Sequence, residues 1–185
     1  MRKLKLQLQT SIDGFIGGPN GEMDWMVWDW DDPLKKYVSE LLDSIDCILL
    51  GRKLAEGFIP HWTGVASDPK NPEVEAGKIF TQLPKVVFTR TLDSSPWDNT
   101  TLAKGDLAEE VKAIKEQEGR DIYACGGAEF VSNLIGENLI DEYYLFVNPS
   151  AIGNGMSIFR QRTGLQFAAA RSFPCGITVL KYESK

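Results

Sequence analysis

The sequence predicts an α/β fold: three layers, α/β/α, around a central, mostly parallel mixed sheet that closes with antiparallel C-terminal strands. Three observations predict it. Short apolar runs at Cys47-Ile48-Leu49-Leu50, Lys85-Val86-Val87-Phe88 and Asp121-Ile122-Tyr123-Ala124 each stop at a turn of glycines or basic residues. Amphipathic segments separate them, and the last third becomes strand-like with little helix. Strands almost without polar alternation belong to a sheet covered on both faces.

Taken in order, Leu4, Leu6 and Leu8 alternate with Lys5, Gln7 and Gln9, the period of a strand ending near Thr10. A loop of turn formers follows, residues 13–21. Asp32-Pro33 is a helix start, with a side-chain acceptor at the cap and proline in the first turn, where its missing N–H is not needed. Leu34, Tyr37, Val38, Leu41, Leu42 and Ile45 then recur at helical spacing. Asp106 and Glu109 have capping-box spacing ahead of a helix whose face is Leu107, Val111 and Ile114 and which Gly119 ends. The stretch 60–84 holds one helix candidate, from Asn71-Pro72-Glu73 to Phe80, and reads as a lid or an excursion at the sheet edge. Residues 142–147, 165–173 and 176–182 read as the closing strands.

A chain of 185 residues without repeats or linkers is expected to make one domain, residues 1–185. Hydrophobic residues at 43% and charged residues at 25% are ordinary globular values. A net charge of -6 argues against nucleic acid, which needs a clustered basic face. No run approaches the roughly 18 apolar residues of a membrane span, and the N-terminus lacks the apolar stretch of a signal peptide. Three cysteines cannot all pair within one chain, and Cys47 and Cys125 lie in apolar runs, so a reducing, cytoplasmic setting is expected. His61 is the single histidine, and no ligand spacing supports a metal.

The candidate chemistry sits at strand ends. Gly126-Gly127 can present backbone N–H groups at the positive end of the following helix, as an anionic diphosphate requires. The alternative is a turn that needs glycine only for its conformation. Gly51-Arg52-Lys53 and Thr89-Arg90-Thr91 put cations, and in the second case hydroxyls, just past two other strands. In open α/β sheets the crevice at the strand ends is the usual ligand site. An arginine fork beside hydroxyls can grip a ribose phosphate, selecting NADPH over NADH; the alternative is three solvated surface charges. Residues 12–30 crowd Trp25, Trp28 and Trp30 with Met23, Met26 and the acids Asp13, Asp24, Asp29, Asp31 and Asp32. Aromatic and thioether surfaces suit a flat heterocycle and a carboxyl can move a proton, while the same residues can instead pack or form a subunit interface.

These motifs carry a resemblance. Thr10-Ser11-Ile12-Asp13-Gly14-Phe15-Ile16-Gly17, Met23-Asp24-Trp25, Ile48-Leu49-Leu50-Gly51-Arg52, Val87-Phe88-Thr89-Arg90, Cys125-Gly126-Gly127 and residues 148–155 occur in the order found in dihydrofolate-reductase-like proteins. The branch most similar is the one related to the C-terminal reductase domain of the riboflavin-biosynthesis deaminase/reductase, and the resemblance spans nearly the whole chain. It implies the dihydrofolate-reductase-like fold with NADPH across the strand ends. Gly51, Arg52 and Lys53 would lie by the diphosphate or ribose, Thr89, Arg90 and Thr91 by the 2′-phosphate, and Gly126, Gly127, Ala128 and Glu129 by the diphosphate. Gly17 and Met23, Asp24 and Trp25 would line the loop over the nicotinamide and substrate. It further implies a cis peptide between Gly126 and Gly127.

Where dihydrofolate reductases carry a pterin-facing carboxylate, this sequence has Leu34-Lys35-Lys36. Reduction of a pyrimidine or another imine-like or carbonyl compound is therefore expected over folate reduction, with Asp13, Asp31 or Asp32 assisting protonation. The expected partners are a small-molecule substrate and a second copy of the chain. An NADPH-binding module without catalysis is the alternative, and a fold-only resemblance a third.

Overall fold

A computed structural model describes residues 1–185. Strand β1 (Leu4–Thr10) leads through a long loop to α1 (Asp32–Asp43), β2 (Ile45–Gly51), α2 (Arg52–Ser67), α3 (Val74–Gln82), β3 (Lys85–Phe88) and β4 (Thr100–Ala103). Then come α4 (Leu107–Glu116), β5 (Asp121–Ala124), α5 (Ala128–Gly136), β6 (Glu142–Val147), β7 (Leu165–Ser172) and β8 (Thr178–Ser184). All eight strands form one sheet in the order β4-β3-β2-β5-β1-β6-β8-β7. Pairing is parallel from β4 to β6, and β8 runs antiparallel to both its neighbours.

The apolar runs are strands because both faces of the sheet are covered. Leu49 points with Leu4, Leu6, Leu8, Ile122 and Ala124 into a core shared with Val111 and Ile114 of α4 and Val131 and Leu134 of α5. Its neighbours Ile48 and Leu50 point the other way, with Val87 and Tyr123, against Leu34 and Leu41 of α1, Ala55 and Ile59 of α2 and Phe80 of α3. The result is the three-layer α/β/α arrangement read from the sequence, closed by antiparallel strands.

Several local features differ from the sequence reading. The cap of α1 is Asp31, not Asp32: its Oδ1 accepts from Leu34 N at 2.8 Å and its Oδ2 from Cys175 N at 2.7 Å. One carboxylate thus caps a helix and ties down the β7–β8 turn, and Asp32 and Pro33 become the first two helical residues. Ile45 leaves the helix pattern and opens β2. Residues 60–84 are no lid; α2 continues through the exposed Pro60, where water can satisfy the carbonyl the ring frees, and α3 packs directly on α2. A Cβ at Gly77 would come within 2.7 Å of Ala66 N, so glycine is what lets these helices touch. Finally, β4 carries no apolar run, because a short edge strand has only one neighbour to satisfy, and its register on β3 (Lys85 opposite Thr100, Phe88 opposite Ala103) forms through backbone pairing.

Strand β1 lies at the centre of the sheet, between β5 and β6. Its alternation therefore does not mark a wet face: Lys5 and Gln7 are buried beneath α1. Lys5 Nζ meets Asp121 and the Ser44 hydroxyl, both at 2.8 Å, and Tyr123 donates its hydroxyl proton to Gln7 Oε1.

Candidate active site

Because six neighbouring strands run in parallel, their C-terminal ends share one edge of the sheet. The order β3-β2-β5-β1 puts the turn at residues 89–91, the turn at residues 51–53 and Gly126-Gly127 side by side, with the end of β1 next to them. From β3 to β5 is two strand spacings, about 10 Å. The three turns singled out from the sequence are thus brought together in one row.

Two helices leave this row, and like α3, whose N-cap Glu73 makes no capping bond, they start without a side-chain cap. The N-cap of α2 is Gly51 and that of α5 is Gly127, and neither has a side-chain cap. By contrast, α1 is capped by Asp31, and Asp106 Oδ1 caps α4 through Ala108 N at 3.0 Å and Glu109 N at 3.2 Å. The first N–H groups of α2 and α5 are therefore left for an external acceptor, at the positive helix ends. Gly51 has no room for a side chain, since its Cβ would sit 2.9 Å from Phe130 Cβ at the start of α5.

The expected cis peptide between Gly126 and Gly127 is absent; the chain has no cis bond. The turn is made instead by positive φ at both residues, +154° at Gly126 and +78° at Gly127, which bends the backbone into α5 through a trans bond. Burial of its sulfur pushes the thiol of neighbouring Cys125, a half-buried residue, up to about 12.

Of the cations, Arg52 Nη1 holds Glu56 at 2.5 Å within α2, and exposed Lys53 lies 3.8 Å from Glu129 on α5. Arg90 is exposed and has no carboxylate partner. Thr89 Oγ1 accepts from Thr91 N at 3.1 Å and Leu92 N at 3.2 Å, which fixes the turn that carries Arg90. A free guanidinium on a braced turn, two uncapped helix starts and a glycine bend make a chemically coherent seat for a phosphorylated dinucleotide.

The long loop after β1 is strapped to the segment after β6. Ile16 N donates to Met156 O and Met156 N to Gly17 O, each at 2.9 Å. A Cβ on Gly155 would lie 2.3 Å from Gly17 O, so the strap depends on that glycine. Asp13 completes it, accepting from Gly153 N at 2.7 Å and Ile152 N at 3.2 Å. Hydrogen bonds from the Ser11 hydroxyl and from Gly153 hold its carboxyl below the usual range. Burial alone would raise Asp31, but the N–H groups of Leu34 and Cys175 outweigh it and lower that carboxyl too. Asp32 is exposed on the first turn of α1. Met23 and Asp24 are exposed, while Trp25 is half-buried and its carbonyl accepts from the Ser150 hydroxyl at 3.2 Å.

The sequence reading quoted the residue that organises this region only as part of a motif and gave it no role. Asn148, fully buried at the end of β6, accepts from Val27 N at 2.8 Å and donates to Gln9 Oε1 at 2.7 Å and Phe146 O at 3.1 Å. A single asparagine thus joins the tryptophan loop, β1 and β6. The available signal was an asparagine directly after an apolar strand and before proline.

Residues 2–179 match the family model of the RibD C-terminal domain. The chain is 34% identical over 188 residues to the uncharacterized protein YyaP of Bacillus subtilis (98% of this chain, 94% of that protein). To YwjB of the same organism it is 26% identical over 162 residues (88% and 85%). A putative riboflavin biosynthesis protein from Shewanella sp. PV-4 superimposes with a TM-score of 0.75 at 19% identity, covering 99% of both chains. The diaminohydroxyphosphoribosylaminopyrimidine deaminase/5-amino-6-(5-phosphoribosylamino)uracil reductase of Thermotoga maritima gives 0.69 at 17% identity. That alignment covers 100% of this chain but 57% of the Thermotoga chain. At such identities the likeness to solved structures is one of fold.

Proposed function

From a chain that belongs to the RibD C-terminal domain family, we propose an NADPH-dependent reductase that acts on a C=N or C=O group of a small, flat heterocycle of the pyrimidine type. The observation that carries this reading is the row of three strand-end turns, with two uncapped helix starts on the adjacent strands β2 and β5. The reductase named in the Thermotoga neighbour, to which this chain is similar in fold, supports a reductase role.

When bound, NADPH supplies the hydride. The N–H groups of Gly127, Ala128 and Glu129 would hold its diphosphate together with Gly51, Arg52 and Lys53. Arg90, with Thr89 and Thr91, would hold the 2′-phosphate, which a guanidinium fork discriminates from a bare hydroxyl. Gly17, Met23, Asp24 and Trp25 would close over the reacting rings and exclude water. Asp13 and Asp31, both held ionised by backbone N–H groups, would position loops, leaving exposed Asp32 or water to move the proton.

Titration of the protein's tryptophan fluorescence with NADPH and NADH tests the reading. Quenching by NADPH at micromolar concentration is expected, and no binding of either nucleotide at about 1 mM overturns it. The engagement of Asp13 and Asp31 favours one second reading, an NADPH-binding module without turnover, which predicts tight binding and no NADPH oxidation across pyrimidine, pterin and quinone acceptors.

We further propose a homodimer in the cytoplasm. Edge strand β7 is exposed over nearly its whole length, with Phe167 60% exposed, and all three cysteines are free. A light-scattering mass equal to one chain removes the dimer.

No helix is long and apolar enough to cross a membrane.

A further inference from the structure

Four cationic side chains are buried in this molecule, those of Arg2, Lys5, Lys85 and Lys115. Three of them meet a carboxylate: Arg2 pairs with Asp46, Lys5 with Asp121 at 2.8 Å and Lys115 with Asp141 at 2.5 Å. Lys85, 3% exposed at the first position of β3, has none. Its Nζ donates to the carbonyls of Leu83 at 2.7 Å and Thr81 at 3.1 Å, closing the last turn of α3. An ammonium carries three donors, so two neutral carbonyls leave one donor and the whole net charge without a partner. Burial accordingly pulls this lysine below its ordinary pKa.

Beside Lys85 opens a cavity of about 370 Å³, within the range of small-molecule sites. Its aromatic wall is Trp62, Phe80 and Trp97, and its two charged lining residues are Lys85 and the exposed Asp98. The rings of Trp62 and Phe80 lie 4.5 Å apart between centroids, and the Ser95 hydroxyl braces the turn that carries Trp97, donating to its carbonyl at 3.0 Å and accepting from its N–H at 3.2 Å. The cavity is separate from the row of strand-end turns. Lys85 begins β3 whereas Thr89 and Arg90 follow its end, and Trp62 lies about 15 Å along α2 from Arg52.

We propose that this cavity is a second ligand site and takes a small aromatic monocarboxylate. The carboxylate accepts from Lys85 Nζ, supplying the counter-ion that the other three buried cations find within the chain, and the ring packs among Trp62, Phe80 and Trp97. Asp98 repels a second negative charge, so a dianion such as inorganic phosphate is disfavoured. This site goes beyond the reductase reading and does not rest on it.

The probes are 2-naphthoate and its uncharged isostere 2-naphthamide, titrated by calorimetry at pH 7. Wild-type protein binds the carboxylate at least about tenfold more tightly than the amide, the scale of one desolvated charge-assisted hydrogen bond. Saturating NADPH leaves that affinity unchanged. Lys85→Met keeps the apolar stem, removes the ammonium and brings the two probes to equal affinity. Trp97→Ala weakens both about fivefold and keeps the preference, since it removes ring contact and not charge. Melting curves certify that the variants are folded, and if Lys85→Met is not, Trp97→Ala decides, with an unchanged 2-naphthoate affinity counting against the site. Equal affinities in the wild type, a preference that survives Lys85→Met, or no binding of 2-naphthoate at about 1 mM overturns the inference. NADPH titration of the same samples reports separately on the cofactor reading.

Discussion

The two ends of the parallel strands in the sheet are built on opposite principles. At the N-terminal edge nearly every charge is matched inside the protein: Arg2 pairs with Asp46, Lys3 with Glu142 at 2.7 Å, Lys5 with Asp121 at 2.8 Å and Lys115 with Asp141 at 2.5 Å. At the C-terminal edge two helix starts have no cap, Arg90 has no carboxylate and Gln9 Nε2 has no acceptor. The first edge, Lys85 apart, is closed and holds the fold. The second leaves these few polar groups unspent among others that are paired, as a binding site requires. Stability and function are thus separated along the strand axis, and substitutions at the two edges are expected to produce different losses.

The largest effect is expected at the closed edge. Glu142 is buried, accepts from Lys3, from the Tyr144 hydroxyl at 2.7 Å and from Lys181 at 3.2 Å. Burial alone would raise its pKa, but these three donors outweigh it and hold it at about 2. Glu142→Gln is expected to cost roughly 2–3 kcal/mol in urea unfolding at pH 7 and to leave NADPH affinity unchanged. The folded value lies below the ordinary one near 4.5, so this stabilisation is complete above pH 4.5 and drains away as the pH falls toward 2. The wild type should therefore lose more stability than the variant across that window; parallel curves would contradict this account of the closed edge.

Next in size is Gly127→Val at the open edge. A φ of +78° is strained for a β-branched residue, at a cost of about 1–3 kcal/mol, and the bend feeds the N–H groups at the start of α5. NADPH binding should weaken at least about tenfold in fluorescence titration, a loss of about 1.4 kcal/mol or more. Unaltered affinity would show that the glycine bend is conformational only. The smallest expected effect is that of Arg90→Ala: the preference for NADPH over NADH drops about fivefold to tenfold, on the scale of one charged hydrogen bond, with NADH affinity and melting temperature unchanged. If that preference persists, the 2′-phosphate lies elsewhere and Arg90 is a solvated surface charge.

Most of this architecture was legible because burial writes itself into composition. The runs at β2, β3 and β5 have apolar residues on both faces, and only a doubly covered sheet explains that. The glycine and basic turns were legible for a related reason, since a bend or a phosphate seat excludes most side chains. Strand β4 was not, because an edge strand can form through backbone pairing with little apolar content. Asp31 was passed over as a cap in favour of Asp32 because its second partner, Cys175 N, is 144 residues away.

By itself the sequence determined the order of the elements apart from β4, the two-sided burial of the sheet and the three strand-end turns, all of which follow from local pattern. The tertiary structure decided which strands became neighbours, and hence that those turns form a single row. It also placed β1 at the centre of the sheet, where Gln7 and Gln9 meet partners more than a hundred residues away. A strand's alternation says that its two faces differ; only the chain packed around it says whether the polar face meets water, a buried partner or a ligand.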